Sequence, residues 1–114
     1  MLEVVVEWLR AWFKTRDVSV IYAGMFGSAT RQDTNIQDID LLVIIPSSRE
    51  LEEWRKVQIW RRALLDNWSS CCSTHIDLVI LSREEAKEMN WLIRELPRGE
   101  DFSIIGSKTD LQNI

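Results

Sequence analysis

Two acidic side chains stand at the head of the longest wholly apolar stretch in this chain. The segment Asp38-Ile-Asp-Leu-Leu-Val-Ile-Ile-Pro46 is rich in β-branched and long apolar residues and ends at a proline. It reads as a strand over residues 38–45. Residues i and i+2 of a strand point to the same face, so Asp38 and Asp40 present their carboxylates side by side. The fold must bury the residues after them and still leave the opening of the same strand accessible. Two like charges this close raise a pKa unless a cation lies between them. Oxygen donors with this spacing suit Mg²⁺, which commonly takes one or two carboxylates plus substrate phosphates.

The rest of the chain supplies partners for that strand. Leu2, Val5, Val6, Leu9, Trp12 and Phe13 recur at helical spacing, which predicts an amphipathic helix over residues 2–15. Residues 18–26 read as a strand, and a polar loop follows from Gly27 to Gln37. Ser47 or Ser48 is positioned to cap a helix running to about Trp68, with acids in its first turns. Residues 75–81 form another strand pattern. Ser82 followed by Glu85 is a capping-box signature for a helix to about Glu95. Phe102–Ile105 reads as a last short strand. The expected fold is an α+β domain over residues 1–106, a mixed sheet of three or four strands with helices packed mainly on one face. Residues 107–114 are expected to be a loose tail.

Charge and cysteine usage narrow the function classes. The formal net charge is −4, whereas nucleic-acid binders usually carry a basic balance. A nucleic-acid partner is therefore not expected. Arg55, Lys56, Arg61 and Arg62 do fall within eight residues that hold no acid, a pattern read first as a solvated helix face. The run Leu41–Pro46 is far too short to span a bilayer, so no membrane partner is expected. Cys71 and Cys72 are adjacent. Neighbouring cysteines rarely meet disulfide geometry and lack zinc-site spacing, which predicts a reduced, cytoplasmic setting.

A third acid belongs with the first two. Asp77 lies in His75-Ile-Asp-Leu-Val-Ile-Leu81, otherwise a core-strand pattern. An ionised carboxylate there is costly unless paired or metal-bound. If this strand lies beside residues 38–45, Asp77 can face the same pocket. Three carboxylates could then hold two metals, the arrangement used for in-line displacement at phosphorus. Gly27 and Ser28 sit where the first strand ends. A glycine lets backbone N–H groups approach a phosphate, and the serine hydroxyl adds a donor. Arg31 could reach the same anion.

Gly27-Ser28, nine intervening residues, Asp38-Ile-Asp40 and the later Asp77 together resemble the nucleotidyltransferase superfamily that includes DNA polymerase β. The likeness is greatest to its minimal single-domain members and covers roughly residues 18–81. The Phe-Gly-Ser lead-in, the Asp-Ile-Asp-Leu-Leu-Val run and Arg31 also fit. The chain departs from the pattern at Gln32, where minimal members often place a glycine. The resemblance implies a Mg²⁺-dependent enzyme, with two ions expected and Mn²⁺ as a substitute, that moves a nucleoside monophosphate from an NTP, with ATP expected. It implies that Asp38, Asp40 and Asp77 bind metal, that Asp77 also helps activate the acceptor hydroxyl, and that Gly27, Ser28 and Arg31 hold the nucleotide. It further implies pairing with a HEPN-type protein, the chain acting as antitoxin and modifying its partner with AMP. The alternative is a non-catalytic module that keeps this fold and binds a partner.

Other residues carry plainer expectations. His75 reads as a strand-edge residue and Tyr22 as core. Arg61 falls inside the apolar arc of Leu51, Trp54, Val57, Leu64, Leu65 and Trp68, where arginines mostly snorkel along a core edge. Of six tryptophans, Trp12, Trp54 and Trp68 fit core arcs, while Trp60 and Trp91 lie off theirs. Exposed tryptophans favour a partner protein or a homo-oligomer.

Overall fold

A computed structural model describes residues 2–16, 18–27, 38–46, 51–94, 96 and 102–112. Helix α1 (Leu2–Lys14) is followed by strands β1 (Tyr22–Phe26) and β2 (Asp38–Ile45), helix α2 (Leu51–Cys71) and strand β3 (His75–Ser82). Short helices α3 (Arg83–Glu88) and α4 (Asn90–Arg94), strand β4 (Ser103–Ile105) and helix α5 (Lys108–Gln112) complete the order. The strands form one mixed sheet in the order β3-β2-β1-β4. β1 pairs antiparallel with β2 and β4, and β2 pairs parallel with β3.

Strand alternation divides the sheet into two faces. Ile39, Leu41, Val43 and Ile45 of β2 point to one face and join Val6, Leu9, Trp12 and Phe13 of α1 and Val57, Trp60, Leu64 and Trp68 of α2 in the main core. Leu42 and Ile44 point to the other face, where they meet Tyr22, Leu81, Ala86, Ile93 and Leu111. The two long helices therefore pack on one face. Among the described residues, the three short ones pack on one end of the opposite face. β2 is buried on both sides along its apolar run because layers lie above and below it, which is why that run does not alternate in sequence.

The expected strand over 38–45 and the helix over 2–15 appear nearly as read. The capping box at Ser82 is present: its hydroxyl accepts from Glu85 N–H at 3.2 Å, and its own N–H donates to the Glu85 carboxylate at 3.1 Å. The helix that follows is broken at Met89 rather than continuous to Glu95. Its two pieces separately place Ala86 and Ile93 on the sheet.

The end of the chain differs from expectation. Where the sequence reads as a loose tail, Lys108–Gln112 form α5 and bury Leu111 to 3% exposure. Lys108 Nζ donates to the carbonyl of Leu96 at 2.8 Å. It also lies 3.5 Å from the carbonyl of Arg94, so one ammonium ties α5 to the end of α4.

The arc on α2 is also rotated from the predicted one. Val57, Trp60, Leu64 and Trp68 are its buried residues, while Leu51 is 64% and Trp54 38% exposed. Trp60, expected off the arc, packs edge-on against Phe13 with centroids 5.8 Å apart. Arg61 consequently lies on the exposed side of the helix rather than within its apolar arc. Trp91 is exposed, as read from its helix.

Candidate functional site

β2 and β3 are in an unbroken parallel register that sets Asp38 opposite His75 and Asp40 opposite Asp77. Register partners on adjacent strands share a face, and so do residues two apart on one strand. Asp38, Asp40, His75 and Asp77 therefore stand together on one face. It is the face opposite α1 and α2, since Ile39, Leu41 and Ile76 between them point into the main core. The short helices cover that face only farther along, at Leu42, Ile44 and Leu81. The carboxylates occupy its open end. Adjacent strands lie about 4.8 Å apart and alternate residues about 6.6 Å apart, so the three acids sit on a patch about 8 Å across.

The electrostatics agree with the register. The Asp40 carboxyl is held above its ordinary value of 3.8, first because it is partly buried and then because the charges of Asp77 and Asp38 disfavour ionisation. Asp38 and Asp77 are exposed. Asp77 Oδ1 lies 3.0 Å from His75 Nε2. The sequence pattern marks that imidazole only as a strand-edge residue; its position two residues before Asp77 puts both side chains on a common face.

Gly27 joins the same group. Its φ is +80°, a left-handed value that favours glycine. A Cβ built on it would overlap the carboxylate of Asp40. The turn that ends β1 thus lies against the central acid; its backbone conformation favours glycine, and a side chain there would have to displace the Asp40 carboxylate. Ser28, Arg31 and Gln32 lie outside the described residues.

The donor chemistry fits a hard divalent cation: three carboxylates on one face, with the central one disfavoured as an anion by its partial burial and then by the other two. Among the described residues no group of three or more His, Cys, Asp or Glu side chains stands ready to hold a metal ion. The backbone brings the acids together, while the side chains are not gathered onto one point.

Beside this patch, between α2 and the outer edge of β3, is a hollow of about 610 Å³ lined by Arg61, Leu65, Trp68, His75, Asp77 and Val79 among others. It borders the acids through His75 and Asp77, and among the described residues its lining also brings Arg61 and Asp66. Among the described residues no helix is long and apolar enough to cross a membrane. Comparison of the chain with protein-family models, with curated proteins and with solved structures finds no match.

Proposed function

We propose that this protein is a Mg²⁺-dependent nucleotidyltransferase that moves AMP from ATP to a hydroxyl on a partner protein. The observation that carries the reading is the Asp40–Asp77 register pair, with Asp38 on the same face and Gly27 against Asp40. Asp38, Asp40 and Asp77 would hold the metal, with two ions expected and Mn²⁺ able to substitute. Bound there, magnesium supplies charge neutralisation for the phosphates and orientation of the α-phosphorus.

The chain's own groups have separate tasks. The backbone at Gly27, free of a side chain, lets phosphate oxygens come close to the acids. Asp77, at the border of the hollow, would help activate the acceptor hydroxyl by taking its proton. The acceptor oxygen forms a bond to the α-phosphorus, the bond between the α-phosphorus and its bridging oxygen breaks, and pyrophosphate leaves. Roles for Ser28 and Arg31 at the triphosphate rest on the resemblance in sequence. The hollow beside Asp77 is a natural seat for the acceptor, and Arg61 offers a charge there.

A protein acceptor is favoured by two exposed indoles, Trp91 at 61% and Trp54 at 38%, a residue type enriched at interfaces. The HEPN-type partner and the antitoxin role rest on the sequence resemblance. ATP labelled at the α-phosphate, Mg²⁺ and the product of the neighbouring gene provide the test. Label that moves to the partner, and stops moving in Asp38→Asn, supports the enzyme. Partner binding that survives that substitution with no label transfer would instead identify a binding module.

A further inference from the structure

Cys71 is the last residue of α2 and Cys72 follows it immediately. Their sulfurs lie 3.4 Å apart. Cys71 Sγ also donates to the Trp68 carbonyl at 3.4 Å, and the Cys72 N–H donates to the same carbonyl at 2.9 Å. The Trp68 indole N–H in turn donates to the Thr74 carbonyl at 2.6 Å. One residue thus anchors the backbone on both sides of the thiol pair. Cys71 is exposed and Cys72 half-buried, and both are free thiols.

This geometry selects among the things a thiol pair can do. A disulfide usually needs Cα atoms about 4.4–6.8 Å apart, whereas neighbouring residues are held about 3.8 Å apart by a trans peptide. Closing the bond directly would strain the turn. A tetrahedral zinc ion with bonds of about 2.3 Å spreads its thiolates to about 3.8 Å, wider than the pair as it stands. A pyramidal three-coordinate centre, with narrow angles between its sulfurs, can take both thiols at close to the spacing they already have. Burial and the neighbouring Cys71 raise the Cys72 thiol above its ordinary value, so the pair also suits a reagent that accepts the thiol protons.

We propose that Cys71 and Cys72 form a bidentate site for trivalent arsenic or antimony species that carry exchangeable oxygen ligands. With phenylarsine oxide, two arsenic–sulfur bonds form and the arsenic–oxygen bond breaks. The oxygen leaves as water with both thiol protons, and arsenic stays trivalent. The inference does not depend on the carboxylate site.

The test titrates the full reduced chain with phenylarsine oxide. One equivalent should remove both thiols from reaction with a thiol-specific dye. The adduct should be reversed by 2,3-dimercaptopropanol and resist the same concentration of thiol supplied as mercaptoethanol. Cys71→Ser and Cys72→Ser should each weaken binding on the order of a hundredfold through loss of chelation, with circular dichroism confirming that the variants fold. Thiols lost one at a time in the wild type, or single variants that bind as tightly as the wild type, would overturn the proposal. So would ready formation of a Cys71–Cys72 disulfide with glutathione disulfide, because the pair would then close without a bridging atom.

Discussion

Replacing Asp40 by asparagine tests the electrostatics of the acidic face while preserving its shape. Asp40 stands between Asp38 on its own strand and Asp77 on the next, half-buried, with its carboxyl held above 3.8 by burial and then by those two charges. Charges about 5 Å apart on adjacent strands repel by about 0.8 kcal/mol at the dielectric constant of water, and by more where water is partly excluded. Both neighbours are exposed, so the water limit is the appropriate one for each. Adding a smaller contribution from Asp38, neutralising Asp40 removes about 1 kcal/mol of repulsion from the metal-free protein. We expect Asp40→Asn to raise Tm by about 4 °C in EDTA at neutral pH. The pH dependence has a definite sign. Between 3.8 and its raised folded value Asp40 binds more protons in the folded than in the unfolded chain, so its contribution to stability grows as pH falls through the folded value and levels off near 3.8. The variant lacks this slope. Magnesium at ten times its dissociation constant should stabilise the wild type by about 1.4 kcal/mol and leave the variant unchanged. Thermal melts followed by circular dichroism read all three effects. A variant that melts below the wild type without metal, or that keeps the full magnesium shift, would refute the reasoning.

Three further substitutions separate the parts of the site from the parts of the fold. Gly27→Ala places a methyl at a left-handed backbone position and into the Asp40 carboxylate. We expect a loss of about 1–2 kcal/mol in urea unfolding and about a tenfold drop in Mn²⁺ affinity by calorimetry. His75→Ala removes the exposed partner of Asp77. Such pairs are worth about 0.2–1 kcal/mol, so Mn²⁺ affinity should rise, by up to about fivefold, and a fall would show that His75 assists the metal. Leu64→Ala empties a fully buried position between α2 and the sheet. It should cost about 2–5 kcal/mol in urea unfolding while leaving metal affinity per folded molecule unchanged.

The parts of this fold legible in the sequence are those in which local pattern and tertiary packing agree. The run from Asp38 to Ile45 could be read as a strand because its β-branched residues, its length and Pro46 all point the same way. The side-by-side placement of Asp38 and Asp40 followed from strand alternation alone. Bringing Asp77 to them was conditional on the pairing of two strands separated by a long helix, and the parallel register of β2 and β3 meets that condition. The arc on α2 is not legible locally, because Leu51 and Trp54 are as apolar as the residues farther along. The helix buries residues only from Val57 onward, so Trp60 turns inward and Arg61 outward. The tail was misread for a related reason. Its order comes from Leu111 and from the contact between Lys108 and the end of α4, and no local periodicity in six or seven residues announces a contact of that kind. Gly27 was singled out for backbone approach to a phosphate. Its contact with Asp40 depends on the β1–β2 register, which places Phe26 opposite Asp40.

The account rests on Asp38, Asp40 and Asp77 acting together on a divalent cation and a nucleotide. A crystal structure grown with Mn²⁺ and a non-hydrolysable ATP analogue, with anomalous data to locate the metal, needs no knowledge of the acceptor and tests this directly. The account predicts anomalous peaks within about 2.0–2.2 Å of oxygens from all three carboxylates, the triphosphate lying against the backbone at Gly27, and Asp77 turned away from His75. Manganese bound elsewhere, or a nucleotide seated away from these three side chains, would contradict it.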